Sequence, residues 1–156
     1  RLSGKGVHFI VDAVNDLLMN VLELHPFLIK PNHLELGEIF GTDITGDKEK
    51  AAHYAKILRE KGARNVLVSM AGDGAVLAAE DGKIYSCEAP EGILVNSVGA
   101  GDSMVAGFLT GWSRSGSYSE ALKTGTAAGS ARAFSAFLAE REEVEKLYPK
   151  IKIDVK

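Results

Sequence analysis

The sequence predicts an α/β layered fold with a mainly parallel sheet, and three observations carry that expectation. Short runs of continuous apolar residues, at 7–11, 27–29 and 66–70, read as strands buried on both faces. Stretches with helical spacing separate these runs, as the crossovers of a parallel sheet require. Lys30, Asn32, Ser69, Gly72 and Gly74 all follow directly after apolar runs, and ligands of such sheets gather at the carboxyl ends of strands.

Residues 7–11 form the first expected strand, followed by a helix over 16–24. The second run, Phe27-Leu28-Ile29, is stopped by Lys30-Pro31-Asn32. Asn32 is a good N-cap, with Glu35 at the capping-box position of a helix over 34–40 that ends at Gly41. A third helix spans 47–61 and stops at Gly62. The third run, 66–70, opens into Ala71-Gly72-Asp73-Gly74, and strands at 75–79 and 83–87 are joined at Asp81-Gly82 as a hairpin. Helices over 103–113 and 119–137 follow, then a short charged helix over 140–148 and an apolar run at 151–153.

Composition excludes several classes of function. At 156 residues the chain fits one well-cored domain, covering residues 1–156. A net charge of −3 and no interleaving of basic and aromatic residues argue against nucleic acid as a partner. No apolar run is long enough to span a bilayer, and the most apolar late segment, 127–139, is broken by Arg132. The single cysteine, Cys87, excludes an internal disulfide and fits a cytoplasmic location. Residues 1–6 lead at once into a core strand without an initiator Met or leader, so a piece of a longer protein is expected.

The most informative stretch is Asn96-Ser97-Val98-Gly99-Ala100-Gly101-Asp102-Ser103. A glycine turn running into a helix presents unpaired N–H groups at the positive end of a macrodipole, which is an anion site. Asp102 is too repulsive to be a phosphate ligand, so its chemical use there is as a base toward an attacking hydroxyl. The simpler alternative makes Asp102 the N-cap of an ordinary helix. Both readings stand on local grounds. Two familiar nucleotide loops are absent. Residues 41–48 have Asp47 intruding, lack a hydroxyl after Lys48 and follow a helix, so they are no P-loop. Met104 takes the third glycine position of a dinucleotide fingerprint.

Other candidates also have two readings. Ser69 to Gly74 is either a hairpin lead-in or a backbone surface that a nucleotide can approach closely. Asn32 and Glu35 are either a capping box or oxygen donors to a hydrated Mg²⁺. Lys30 either ends a strand or offsets phosphate charge. His8, His25, His33 and His53 share no metal-ligand spacing and read as structural or surface residues. Cys87 reads as a small apolar residue.

Together these residues resemble the C-terminal half of the PfkB, or ribokinase-like, carbohydrate kinases. Val98-Gly99-Ala100-Gly101-Asp102 is similar to that family's second signature, Asn32-His33-Leu34-Glu35 to its N-x-x-E element, and Ser69–Gly74 to its strand-end nucleotide loop, all in the family's order. The resemblance implies a three-layer ribokinase-like fold, truncated by loss of the N-terminal half and its β lid. It further implies Asp102 as catalytic base, with Gly99, Ala100 and Gly101 as the anion hole. Lys30, Asn32, Ser69, Ala71, Gly72, Asp73, Gly74 and Gly101 would meet ATP, and Asn32 and Glu35 would meet Mg²⁺. Asn96-Ser97 in place of Asp-Thr, and Lys30-Pro31 before Asn32, look like the phosphosugar branch of 1-phosphofructokinases and tagatose-6-phosphate kinases. A phosphorylated ketohexose is the implied acceptor. Loss of half the fold also implies an exposed sheet edge and self-association.

Overall fold

The computed structural model describes residues 8–11 and 15–156, with side chains from Leu17 onward in the second stretch. These residues form six strands and six α-helices in two compact units. The expected strand over 7–11 is described in part, as β1 (Ile10–Val11); Val7 lies outside the described residues.

Among the described residues, the first unit comprises 8–11, 15–70 and 76–84. After β1 come α1 (Asn15–Val21), continued as a 3₁₀ turn over Leu22–Leu24, then β2 (Leu28–Ile29), α2 (His33–Phe40), α3 (Lys48–Glu60) and β3 (Asn65–Ser69). β1, β2 and β3 run parallel, with Ile10 opposite Leu28 and Leu28 opposite Asn65. Val66, Leu67 and Val68 are all fully buried, as a continuous apolar strand covered on both faces requires. On α3, Ala51, Ala55 and Leu58 fall four and three residues apart on one turn-spaced face, and all three are fully buried. Asp47 starts that helix by accepting from Lys50 N at 2.9 Å.

Asn65, at the head of β3, is a fully buried polar side chain. Its Nδ2 donates to Phe27 O at 2.8 Å and its Oδ1 accepts from Glu80 N at 2.9 Å, so burial costs no lost hydrogen bond. The hairpin of β4 (Ala75–Ala78) and β5 (Ile84–Cys87) turns at Asp81-Gly82 as expected. Ala79 N donates to Lys83 O at 3.1 Å and Lys83 N to Asp81 Oδ1 at 3.0 Å.

The second unit comprises residues 71–75 and 85–156. It holds α4 (Ala100–Ser115), α5 (Tyr118–Phe134), α6 (Arg141–Leu147) and β6 (Asp154–Val155). β6 pairs antiparallel with β5, Tyr85 opposite Val155. The expected run at 151–153 precedes this strand rather than forming it; its Ile151 is buried instead.

α4 and α5 meet backbone to backbone. A Cβ added to Gly107 would lie 2.7 Å from Thr124 O, one on Gly111 2.7 Å from Glu120 O, and one on Gly125 2.9 Å from Met104 O. No side chain fits at these three positions without shifting a main chain. The helix pair is therefore a tight support for the loop that precedes α4.

Candidate functional site

In the first unit, parallel pairing of β2 with β3 carries Lys30, Asn32 and Ser69 to one sheet edge. The pairing continues past the strands: Asn32 bridges Ser69, and Ser69 N donates to Pro31 O at 3.2 Å. Lys30 is 7% exposed, an unusual depth for an ammonium-bearing side chain.

Asn32 caps α2, its Oδ1 accepting from Leu34 N and Glu35 N, both at 2.9 Å. Glu35 Oε2 accepts from Asn32 N at 2.8 Å, which completes the capping box. The capping reading is thus observed directly. These donors also fit a hydrated Mg²⁺, because a carboxylate has lone pairs beyond the one the N–H takes, and Mg²⁺ binds through its waters. No group of three His, Cys, Asp or Glu able to hold a metal occurs among the described residues. Any Mg²⁺ here would rely on few protein oxygens.

In the second unit, residues 71–73 make one 3₁₀ turn. Ala71 has φ of 50°, a left-handed conformation costing a non-glycine residue about 1 kcal/mol. Gly74 has φ of 92°, and a Cβ on it would lie 2.0 Å from Cys87 O, so glycine is obligatory. Gly72 differs: its φ lies outside the left-handed range and a Cβ would meet nothing within 4 Å. The protein itself gives no reason for glycine at position 72. Cys87 is buried, its sulfur 3.3 Å from Thr126 Oγ1.

The segment before α4 is fastened at several points. Val95 N and Asn96 N both donate to Ala133 O, at 2.9 and 3.0 Å, and Val98 N donates to Asn96 Oδ1 at 3.0 Å. Gly99, with φ of 78°, is the N-cap, and α4 begins at Ala100 rather than at the expected 103. Asp102 is therefore the third helical residue, exposed, and not the N-cap of the simpler alternative. Ala100 N donates to Ser97 O at 3.1 Å. The N–H groups of Gly99, Gly101 and Asp102 have no acceptor among the described residues. Three open donors, a positive helix end and an exposed carboxylate can bind an anion beside a base.

Arg132, which interrupts an apolar segment of the sequence, stands in the last turn of α5. It is buried, and its Nη1 donates to Ser135 O at 3.1 Å and Asn96 O at 3.4 Å. A charged residue inside an apolar run was the signal that could have found it.

A cavity of about 420 Å³ lies elsewhere in this unit, lined by Gly107, Thr110, Arg114, Glu120, Arg141 and Tyr148 among others. None of the site residues expected from the sequence borders it. Its polar groups largely satisfy one another, Tyr148 donating to Glu120 and Arg141 to Glu145.

Residues 5–138 match the model of the pfkB family carbohydrate kinases. A 1-phosphofructokinase of Bacillus subtilis is 50% identical over 144 residues, 92% of this chain and 47% of that protein. A D-tagatose-1-phosphate kinase of Bacillus licheniformis is 35% identical over 92% of this chain and 47% of its own length. A crystal structure described as a phosphofructokinase from Staphylococcus aureus superposes with a TM-score of 0.91 at 37% identity, covering 99% of this chain and 50% of that one. Phosphofructokinase-2 from Escherichia coli, in complex with substrates and products, gives 0.83 at 28% identity over 93% of this chain and 48% of that one. The chain spans about half the length of the relatives it matches.

Proposed function

Because the chain belongs to the pfkB family of carbohydrate kinases, we propose that it is the phosphoryl-transferring portion of an ATP-dependent phosphosugar kinase. The observation that carries this reading is the set of open N–H groups of Gly99, Gly101 and Asp102, with the Asp102 carboxylate on the same helical turn. Asp102 takes the proton of the acceptor hydroxyl as its oxygen attacks the γ-phosphorus, and the bond to the departing ADP breaks. The open N–H groups and the α4 dipole stabilise charge on the transferring group. Ala100 contributes its place in the turn, its N–H being engaged by Ser97 O.

The remaining roles follow from the residues' chemistry. Ser69, Ala71, Gly72, Asp73 and Gly74 line the nucleotide, supported by the left-handed Ala71 and by a Gly72 that nothing intramolecular requires. Lys30 offsets phosphate charge. Asn32 and Glu35 hold hydrated Mg²⁺, which supplies further neutralisation of the phosphates.

Fructose 1-phosphate, converted to fructose 1,6-bisphosphate, is the acceptor the relatives' names favour. Tagatose 6-phosphate was the alternative from the sequence. The tagatose kinases among the relatives are named for the 1-phosphate, which would leave the 6-hydroxyl as the acceptor in both sugars. A cytoplasmic location fits this chemistry, and no helix among the described residues is long and apolar enough to cross a membrane.

The coverage of about half of each relative supports a second reading for the chain by itself: a nucleotide-binding module without turnover. Self-association is part of that reading, because Ile93, Leu94, Val98, Phe137 and Leu138 are exposed apolar residues of the second unit. Calorimetry with ATP–Mg²⁺, paired with an assay of bisphosphate formation, tests both readings. Binding without turnover is expected of this chain alone. Absence of ATP binding would remove the kinase reading, and bisphosphate made by the pure chain would remove the second one.

A further inference from the structure

Arg132 is 7% exposed, yet no carboxylate among the described residues forms an ion pair with it. Its Nη1 binds two carbonyls, Ser135 O and Asn96 O, while its Nε is buried without a hydrogen-bond partner. That Nε lies 3.6 Å from where a Cβ on Gly99 would sit, beside the turn. Burying a cation with an unpaired N–H is costly, and a native chain keeps such a group where the charge has a use.

The placement has two electrostatic consequences. Arg132 stands in the last turn of α5, where the negative helix end favours a cation. It also stands beside the N-terminus of α4, whose dipole is positive too. Two adjacent positive sources repel, and an anion in front of Gly99 relieves both at once. The unpartnered N–H and the open donors of Gly99 and Gly101 point independently to a negatively charged ligand.

We propose that Arg132 supplies the buried positive charge of the anion site at the Gly99–Gly101 turn. It is a positioning residue: Nη1 holds the Asn96 carbonyl and so fixes the turn, and the guanidinium raises the potential there without touching the ligand. This inference rests on the reading of the turn as a phosphate cradle.

Amide chemical-shift titration of this chain with inorganic phosphate tests it. In the wild type, the amides of Gly99, Gly101 and Asp102 shift to saturation, and the Arg132 Nε–H resonance moves with the same midpoint. Arg132→Gln keeps donors for the carbonyls but loses the charge, and weakens binding about tenfold, the scale of a partly buried charge at a helix end. Arg132→Lys keeps the charge and stays within about threefold of wild type. A purely structural role reverses that order, with Gln tolerated and Lys not. Gln binding as tightly as wild type, or an Nε–H that stays still while the amides shift, overturns the role of Arg132 alone. An absence of amide shifts in the wild type overturns the cradle, and this inference with it. The Nε–H readout needs no substitution, so a variant that fails to fold leaves the test intact.

Discussion

Asn32 and Glu35 satisfy each other across one turn: Glu35 N donates to Asn32 Oδ1 at 2.9 Å, and Asn32 N donates to Glu35 Oε2 at 2.8 Å. The pair fixes the start of α2 beside the carboxyl end of β3, where Asn32 bridges Ser69. A local cap and a ligand-facing pair are therefore compatible uses of the same two side chains.

These uses separate by substitution. Asn32→Ala removes an acceptor from two N–H groups and should lower stability by about 1 kcal/mol in urea unfolding. Glu35→Gln keeps an acceptor for Asn32 N and should stay within about 0.5 kcal/mol of wild type. If Glu35 meets hydrated Mg²⁺, the Gln variant binds ATP–Mg²⁺ more weakly in calorimetry while ATP alone is unaffected. Equal affinities would confine Glu35 to the cap.

Two glycines, one turn apart in purpose, should respond in opposite ways. Gly74→Ala drives a methyl to within 2.0 Å of Cys87 O at a φ of 92°, and unfolding should be easier by about 3 kcal/mol or more. Gly72→Ala meets open space at an ordinary φ and should leave the melting temperature within a few degrees. Its predicted effect is on ATP affinity, by the intrusion of a methyl where the nucleotide approaches. A Gly72→Ala chain that binds ATP as wild type does would show that the loop does not line the nucleotide.

Asp102→Asn removes the proposed base and should leave the fold of α4 intact, since the side chain is exposed at the third helical position. In the full-length kinase, turnover should fall by about 10²–10⁴-fold with ATP affinity preserved. Turnover near wild type in steady-state kinetics would assign the proton to another group.

The Tyr148 hydroxyl donates to the Glu120 carboxylate, which, with partial burial, pushes its pKa up to about 12. A folded-state value above the ordinary 10.0 means that this contribution to stability is complete below pH 10 and is lost between pH 10 and about 12. Absorbance titration of tyrosinate should show a late step near pH 12, and Tyr148→Phe should abolish that step. A titration curve that Tyr148→Phe leaves unchanged above pH 10 would contradict the hydrogen bond.

Much of this architecture was legible in the residues, for identifiable reasons. Asn32, Asp47 and Gly41 delimit helices through short-range chemistry, and α2 and α3 fall within a residue of where those signals put them. The apolar strand over 65–69 announced itself through burial on both faces. The start of α4 was misjudged because Gly99 and Gly101 read as loop residues. In the structure Gly99 takes the left-handed N-cap position, and helical geometry begins immediately after it. The hydrogen-bond partners of the buried Asn65 and Arg132 were not legible for a different reason. Those partners, Phe27 O, Glu80 N, Asn96 O and Ser135 O, include carbonyls and amides up to 38 residues away, which only the tertiary fold brings close.

The contact of α4 with α5 has a consequence for how this molecule can change over time. Where Gly107, Gly111 and Gly125 face main-chain oxygens, no cushion of side chains can be repacked to absorb a substitution. The outward faces of both helices are free to drift, but their separation is set by the polypeptide backbone itself. A methyl group gained halfway along the pair would be felt at its end, as a displaced Gly99 turn. The glycines thus act as a gauge block, holding the spacing of the helix pair constant while the sequence around it diverges.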